Sequence, residues 1–110
     1  MVIRVLGNRV LPVASLYLSG LTNLPNVIKT SVDFEPLLYQ SFELARTLGE
    51  RLWVYVGYLG SAEQTRLIEK HIHQYRDIIE GIIVDPVSGD HGRVYVPQEV
   101  VQAWPSLLKL

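Results

Sequence analysis

The 110-residue chain contains no cysteine. Disulfides and thiolate metal sites are thereby excluded, and the redox compartment is left open. Charge is also scarce: Asp, Glu, Lys and Arg make up 19% of the residues, with a formal net charge of −1, against roughly a quarter in a typical domain. No basic excess directs the chain to nucleic acid, where Lys and Arg must neutralise phosphates. No block of like charges forms a tail. No apolar run approaches the roughly 18 residues of a membrane span, because Arg4, Asn8 and Arg9 interrupt the first one. The start also lacks a basic region followed by a long apolar stretch. No signal peptide is expected, and the cytoplasm is the default compartment.

Apolar residues are plentiful, at 48% of a length that suits a single domain, 1–110. On so small a chain that excess implies either a dense core or a surface covered by another subunit. The end "WPSLLKL" places Trp104, Leu107, Leu108 and Leu110 within seven residues. The expected partner is the chain itself, as a homodimer or higher oligomer, with two-fold symmetry favoured as the commonest.

Periodicity gives the order of elements. "VIRVL-GN-RVLPV" reads as a hairpin about Gly7-Asn8, and "VASLYLS" as a strand restarting after Pro12. Gly20 to Val27 reads as loop. Asp33 is placed to cap a helix whose apolar face is Phe34, Leu38, Phe42 and Ala45, with Leu37, Ser41 and Leu48 alongside; Gly49 ends it. "RLWVYVGY" is apolar without alternation and predicts a strand covered on both faces. Ser61 and Gln64 form a capping box for a second helix bearing Leu67, Ile68, Ile72, Tyr75, Ile78 and Ile79, with Gly81 as its stop. "IIVD" reads as a short buried strand, "PVSGDHG" as a turn and "RVYV" as the return. A last short helix opens at Pro97 and closes at Pro105. The fold class is α/β: a mixed four- or five-stranded sheet, two main helices and a short C-terminal one.

If "ASLYL", "LWVYV" and "IIV" lie parallel, the loops after Leu18, Val56 and Val84 share the edge where open α/β sheets bind ligands. Gly57, Gly60, Ser61 and Ser88 are the candidate ligand-binding residues there, for a small anion held by free amides at a helix start. The loop matches neither common phosphate-binding glycine pattern, and Glu63 in the first turn opposes an anion. The competing reading is a plain turn and cap. Asp85, Asp90 and His91 form the strongest polar cluster. They are the alternative catalytic set for a hydrolytic or metal-assisted enzyme, although Asp, Ser and Gly also build tight turns. His71 and His73 stand about 200° apart on a helix and do not share a metal. No metal site and no cofactor are called.

Gly92, Arg93, Val94, Val96, Pro97 and Glu99 resemble the strand and helix start of the AbrB-type swapped-hairpin DNA-binding family over about a dozen residues. The basic residues that family carries near the helix start are Gln98 and Glu99 here, so the run is read as a strand–proline–helix junction. Without a fixed acid–base–nucleophile set, the residues point to a small oligomerising binding or regulatory module without catalytic activity. The alternatives are the enzyme above and a purely structural subunit.

Overall fold

A computed structural model describes residues 9–19, 25–86, 89–90, 93–94 and 98–110. The element order is β1 (Leu16–Leu18), β2 (Lys29–Ser31), α1 (Phe34–Thr47), β3 (Leu52–Val56), α2 (Ala62–Gln74), a 3₁₀ turn (Arg76–Ile78), β4 (Ile79–Val84), β5 (Gly89–Asp90), β6 (Arg93–Val94) and α3 (Gln98–Leu108). The α/β class stands. Among the described residues the strands form three two-stranded ladders, not one mixed sheet: β1–β2 antiparallel, β3–β4 parallel and β5–β6 antiparallel. The expected Gly7-Asn8 hairpin lies mostly outside the described residues.

Local chemistry sets the helix limits. Helix α1 ends in two backbone bonds, from Gly49 N–H to the Arg46 carbonyl at 3.1 Å and from Glu50 N–H to the Ala45 carbonyl at 3.0 Å. They require the left-handed φ of +68° at Gly49, which a glycine adopts without a Cβ penalty. At its start Asp33 occupies the cap position but makes no side-chain cap bond, contrary to expectation. Helix α2 is capped as read: Ser61 Oγ accepts from the Gln64 amide at 3.4 Å. It ends at Gln74, seven residues before Gly81, which lies inside β4 and does not stop the helix. Pro105 likewise does not end α3 but lies within it.

The core is a single cluster. Phe34, Leu38 and Phe42 of α1 meet Ile68, Ile72 and Tyr75 of the α2 segment, Val56 and Ile79 of the parallel pair, and Val100, Trp104 and Leu107 of α3. Leu52, Val54, Ile82 and Val84 pack against it from the sheet. His71 is buried, as its apolar neighbours imply, with Nδ1 2.8 Å from the Leu67 carbonyl and its ring stacked on Phe42 at 6.3 Å. His73 faces solvent.

The outer face of β3–β4 corrects the expectation of a strand covered on both sides. Trp53, Tyr55 and Ile83 are 65%, 61% and 51% exposed. Register places Trp53 opposite Gly81. A Cβ on Gly81 would lie 2.2 Å from the indole, so glycine is needed there for close approach.

Ile72 has no exposed surface. Ile72→Ala is expected to cost about 2–5 kcal/mol, read from urea midpoints. Tyr75 is fully buried; burial and the hydrogen bond it donates to Glu43 raise its phenol to about 12. A folded-state value above the unfolded one means that stability is intact below about pH 10 and falls as pH rises toward 12. Tyr75→Phe is expected to flatten that alkaline decline in denaturation midpoints measured between pH 9 and 12.

Candidate functional site

The parallel ladder carries Val56 opposite Val84, so both chains leave the sheet at the same edge. Past that point the Asp85 amide still donates to the Val56 carbonyl at 2.9 Å, which keeps Asp85 beside Gly57. Two sequence candidates thus come together: the Gly57, Gly60 and Ser61 loop, and Asp85. The third expected contributor is displaced, because β1 pairs antiparallel with β2 and is not a parallel neighbour of β3. Even so, the entry to β1 reaches this edge through side chains. Ser15 Oγ donates to the Tyr58 carbonyl at 2.6 Å. Gln64 Nε2 donates to the Ser15 carbonyl at 2.8 Å.

Gln64 also decides how the glycine loop is used. Its Oε1 accepts from the Gly60 amide at 2.8 Å, one residue earlier than a standard capping box. The Gly60 and Gln64 amides, two of the groups an anion would want, are therefore occupied. Glu63 follows and is paired with Arg66. The loop behaves as a braced turn, tied to Ser15 through Gln64.

Sequence reasoning missed the polar bond that defines the edge. Tyr55 Oη donates to Asp85 Oδ2 at 2.9 Å. Parity could have suggested it, since Tyr55 lies two residues before Gly57 on the solvent side of β3. The hydrogen bond to Asp85 first, with partial desolvation and the carboxylate charge behind it, raises the Tyr55 phenol above its ordinary value. Asp85 is exposed and has no cationic partner among the described residues.

Ser88 and His91 lie outside the described residues. Asp90 lies in β5, whose backbone alone is described. No group of three His, Asp or Glu side chains that could hold a metal forms among the described residues. A shallow hollow of about 540 Å³ lies elsewhere, lined by Asp33, Glu35, Tyr39, Lys70, His71 and Gln74. Two of its charges are matched to each other, Lys70 Nζ lying 3.0 Å from Glu35. The carboxyl edge, where backbone ends and an unmatched carboxylate converge, is the better candidate.

The fold is similar to that of solved kinases. No known protein-family profile matches the chain, and no curated protein matches it in sequence. Solved structures do. Pyridoxal kinase of Entamoeba histolytica with PLP superposes with a TM-score of 0.74 and 22% identity, over 88% of this chain and 36% of that one. A provisionally assigned phosphomethylpyrimidine kinase from Bacteroides thetaiotaomicron, in a crystal form with pyridoxal, gives 0.70 and 27% over 88% and 34%. Pyridoxal kinase from Lactobacillus plantarum gives 0.58 and 26% over 84% and 34%. The chain spans about a third of the length of these structures. The α/β fold is thereby shared with catalytic proteins. This overturns the expectation of a non-catalytic binding or regulatory module, and it displaces the hydrolytic and purely structural alternatives, since these neighbours are kinases. The residues gave no warning because the Gly57–Ser61 loop matches neither common phosphate-binding glycine pattern.

Asp85→Asn removes the charge beside Tyr55 and weakens its acceptor. The Tyr55 phenol is expected to fall back toward its ordinary value, measured by alkaline titration of tyrosine absorbance against a Tyr55→Phe reference.

Proposed function

We propose that the chain carries part of the phosphoryl-transfer apparatus of a small-molecule kinase, with an acceptor of the pyridoxal or phosphomethylpyrimidine class. The carrying observation is an exposed carboxylate, Asp85, anchored beside the glycine loop at the carboxyl edge of a fold shared with such kinases over 84–89% of this chain. Phosphoryl transfer asks little covalent chemistry of a protein and much positioning and charge compensation. This edge supplies positioning. Tyr55 fixes Asp85 Oδ2, with Oδ1 unpartnered among the described residues, while the Gln64 bridge ties the Gly57–Ser61 turn to Ser15.

Kinases of this kind draw on a divalent cation to neutralise nucleotide phosphates. Magnesium keeps several waters and takes one or two carboxylates together with phosphate oxygens. A lone, exposed carboxylate such as Asp85 fits that mode, whereas an all-protein cage would need ligands that do not cluster among the described residues. Asp85 would hold the ion, and Tyr55 would orient Asp85.

The test is nucleotide-dependent phosphorylation of pyridoxal by the intact protein, followed by chromatography of the product. Asp85→Ala is expected to lower kcat by about 100-fold or more, the scale of losing one electrostatic partner of the transition state. Unchanged turnover in Asp85→Ala, or neither turnover nor binding of pyridoxal and nucleotide by the parent, would sink the reading.

A further inference from the structure

The hollow between the start of α1 and the end of α2 holds groups that the proposed kinase chemistry does not use. Asp33, Glu35 and Tyr39 line it from one side, and Lys70, His71 and Gln74 from the other. These last three belong to the final turns of α2, away from the carboxyl edge where that helix begins. His71 is the deepest of the lining side chains, only 2% exposed, whereas Asp33, Tyr39, Lys70 and Gln74 are exposed at the rim.

The His71 ring is held in one orientation. It stacks on Phe42 and Tyr75, and the Tyr39 ring meets it edge-on at 6.4 Å. A carbonyl only accepts, so Nδ1, 2.8 Å from the Leu67 carbonyl, carries the hydrogen. The neutral imidazole then offers a lone pair at Nε2. That nitrogen has no partner among the described residues, and it is not one of the sealed unpartnered polar atoms, which are Thr65 Oγ1 and Trp104 Nε1. It therefore opens onto the hollow that His71 lines, and a nearly buried acceptor without a donor is costly.

The remaining lining groups favour a ligand of one kind. Lys70 and Glu35 balance each other at 3.0 Å. Asp33 makes no cap bond and no ion pair among the described residues, so its negative charge is left over. The Tyr39 oxygen and the Gln74 carbonyl are further acceptors. Amides at the start of α1 would attract an anion, but Pro36 removes one of them and the Asp33 and Glu35 carboxylates repel it. No set of three metal-ligating side chains forms among the described residues. The fitting ligand is an organic cation rich in donors. A guanidinium is flat, carries five N–H donors and no acceptor, and packs on aromatic rings such as that of Tyr39, 46% exposed.

We infer that this hollow binds a small guanidinium compound, with Asp33 as counter-charge, His71 Nε2 as the buried acceptor and Tyr39 as the aromatic wall. Its volume of about 540 Å³ suits a small molecule.

The experiment is a titration of the full chain with methylguanidinium, followed by the imidazole nitrogen resonances. Nucleotide and divalent cation are left out, so the outcome is independent of the kinase reading. The His71 Nε2 resonance is expected to move and saturate, with a midpoint at roughly millimolar concentration, the scale of a ligand of few atoms. The exposed His73 should not respond. Asp33→Asn, an exposed change that spares the fold, is expected to raise the dissociation constant at least about tenfold, as loss of a charge-assisted bond does. Lys70→Gln acts in the opposite sense: it frees Glu35 and is expected to tighten binding about threefold. Acetate should not bind. A blocked arginine amide, standing for a peptide, should bind no tighter than methylguanidinium; tighter binding would overturn the free ligand in favour of a protein's arginine. An unsaturable or absent shift at His71, an equal response at His73, or binding indifferent to Asp33→Asn would overturn the site itself.

Discussion

The parallel register of β3 and β4 is the constraint from which the rest of the molecule follows. Parallel neighbours cannot be joined by a tight turn; the chain must cross back over the sheet, and α2 is that crossover. Once Val56 stands beside Val84, Gly57 and Asp85 must emerge together, and the candidate site exists. The same register points Val54, Val56, Ile82 and Val84 at Ile68, Ile72 and Tyr75, so core and site are fixed by one choice. A slip of one residue would exchange the two faces. Gly81 resists it, because no other residue of β4 lacks the Cβ that would collide with Trp53.

What was legible in the sequence was what local chemistry determines. Ser61 and Gln64 announce a helix start because a side-chain oxygen and an amide three residues on are always within reach. Gly49 announces an end because few other residues accept its φ. The 3.6 period of Phe34, Leu38, Phe42 and Ala45 survives intact as the buried side of α1. The errors arise where one residue type serves two purposes. Glycine stops helices and also admits a neighbour's ring, and only the tertiary register of Trp53 shows that Gly81 does the second. Lys29, Thr30 and Ser31 carry no apolar signal, so the β1–β2 pairing could not be read locally. The carboxyl-edge loops are legible as Gly, Ser and Asp after apolar strands, whereas Tyr55, which holds Asp85, reads as one more apolar residue of its strand and its hydroxyl goes unnoticed.

Helix α2 shows how stability and ligand binding compete for the same groups. A helix start attracts anions only while its amides are unoccupied. Ser61 and Gln64 take up the Gln64 and Gly60 amides, and Glu63 adds a charge of the wrong sign. The loop is consequently rigid and a poor phosphate cradle by itself. In a phosphoryl-transfer site it would brace the acceptor's floor while charge compensation is supplied across the edge, at Asp85.

Tyr55 joins the sheet face to the carboxyl edge physically. Its ring belongs to the bare apolar face, and its hydroxyl belongs to the carboxyl edge. Covering the face lowers the local dielectric around that hydroxyl, which strengthens its bond to Asp85 and every charge interaction Asp85 makes. Occupancy of the sheet face and charge at the sheet edge are therefore coupled through a single phenol, whichever polypeptide lies on that face.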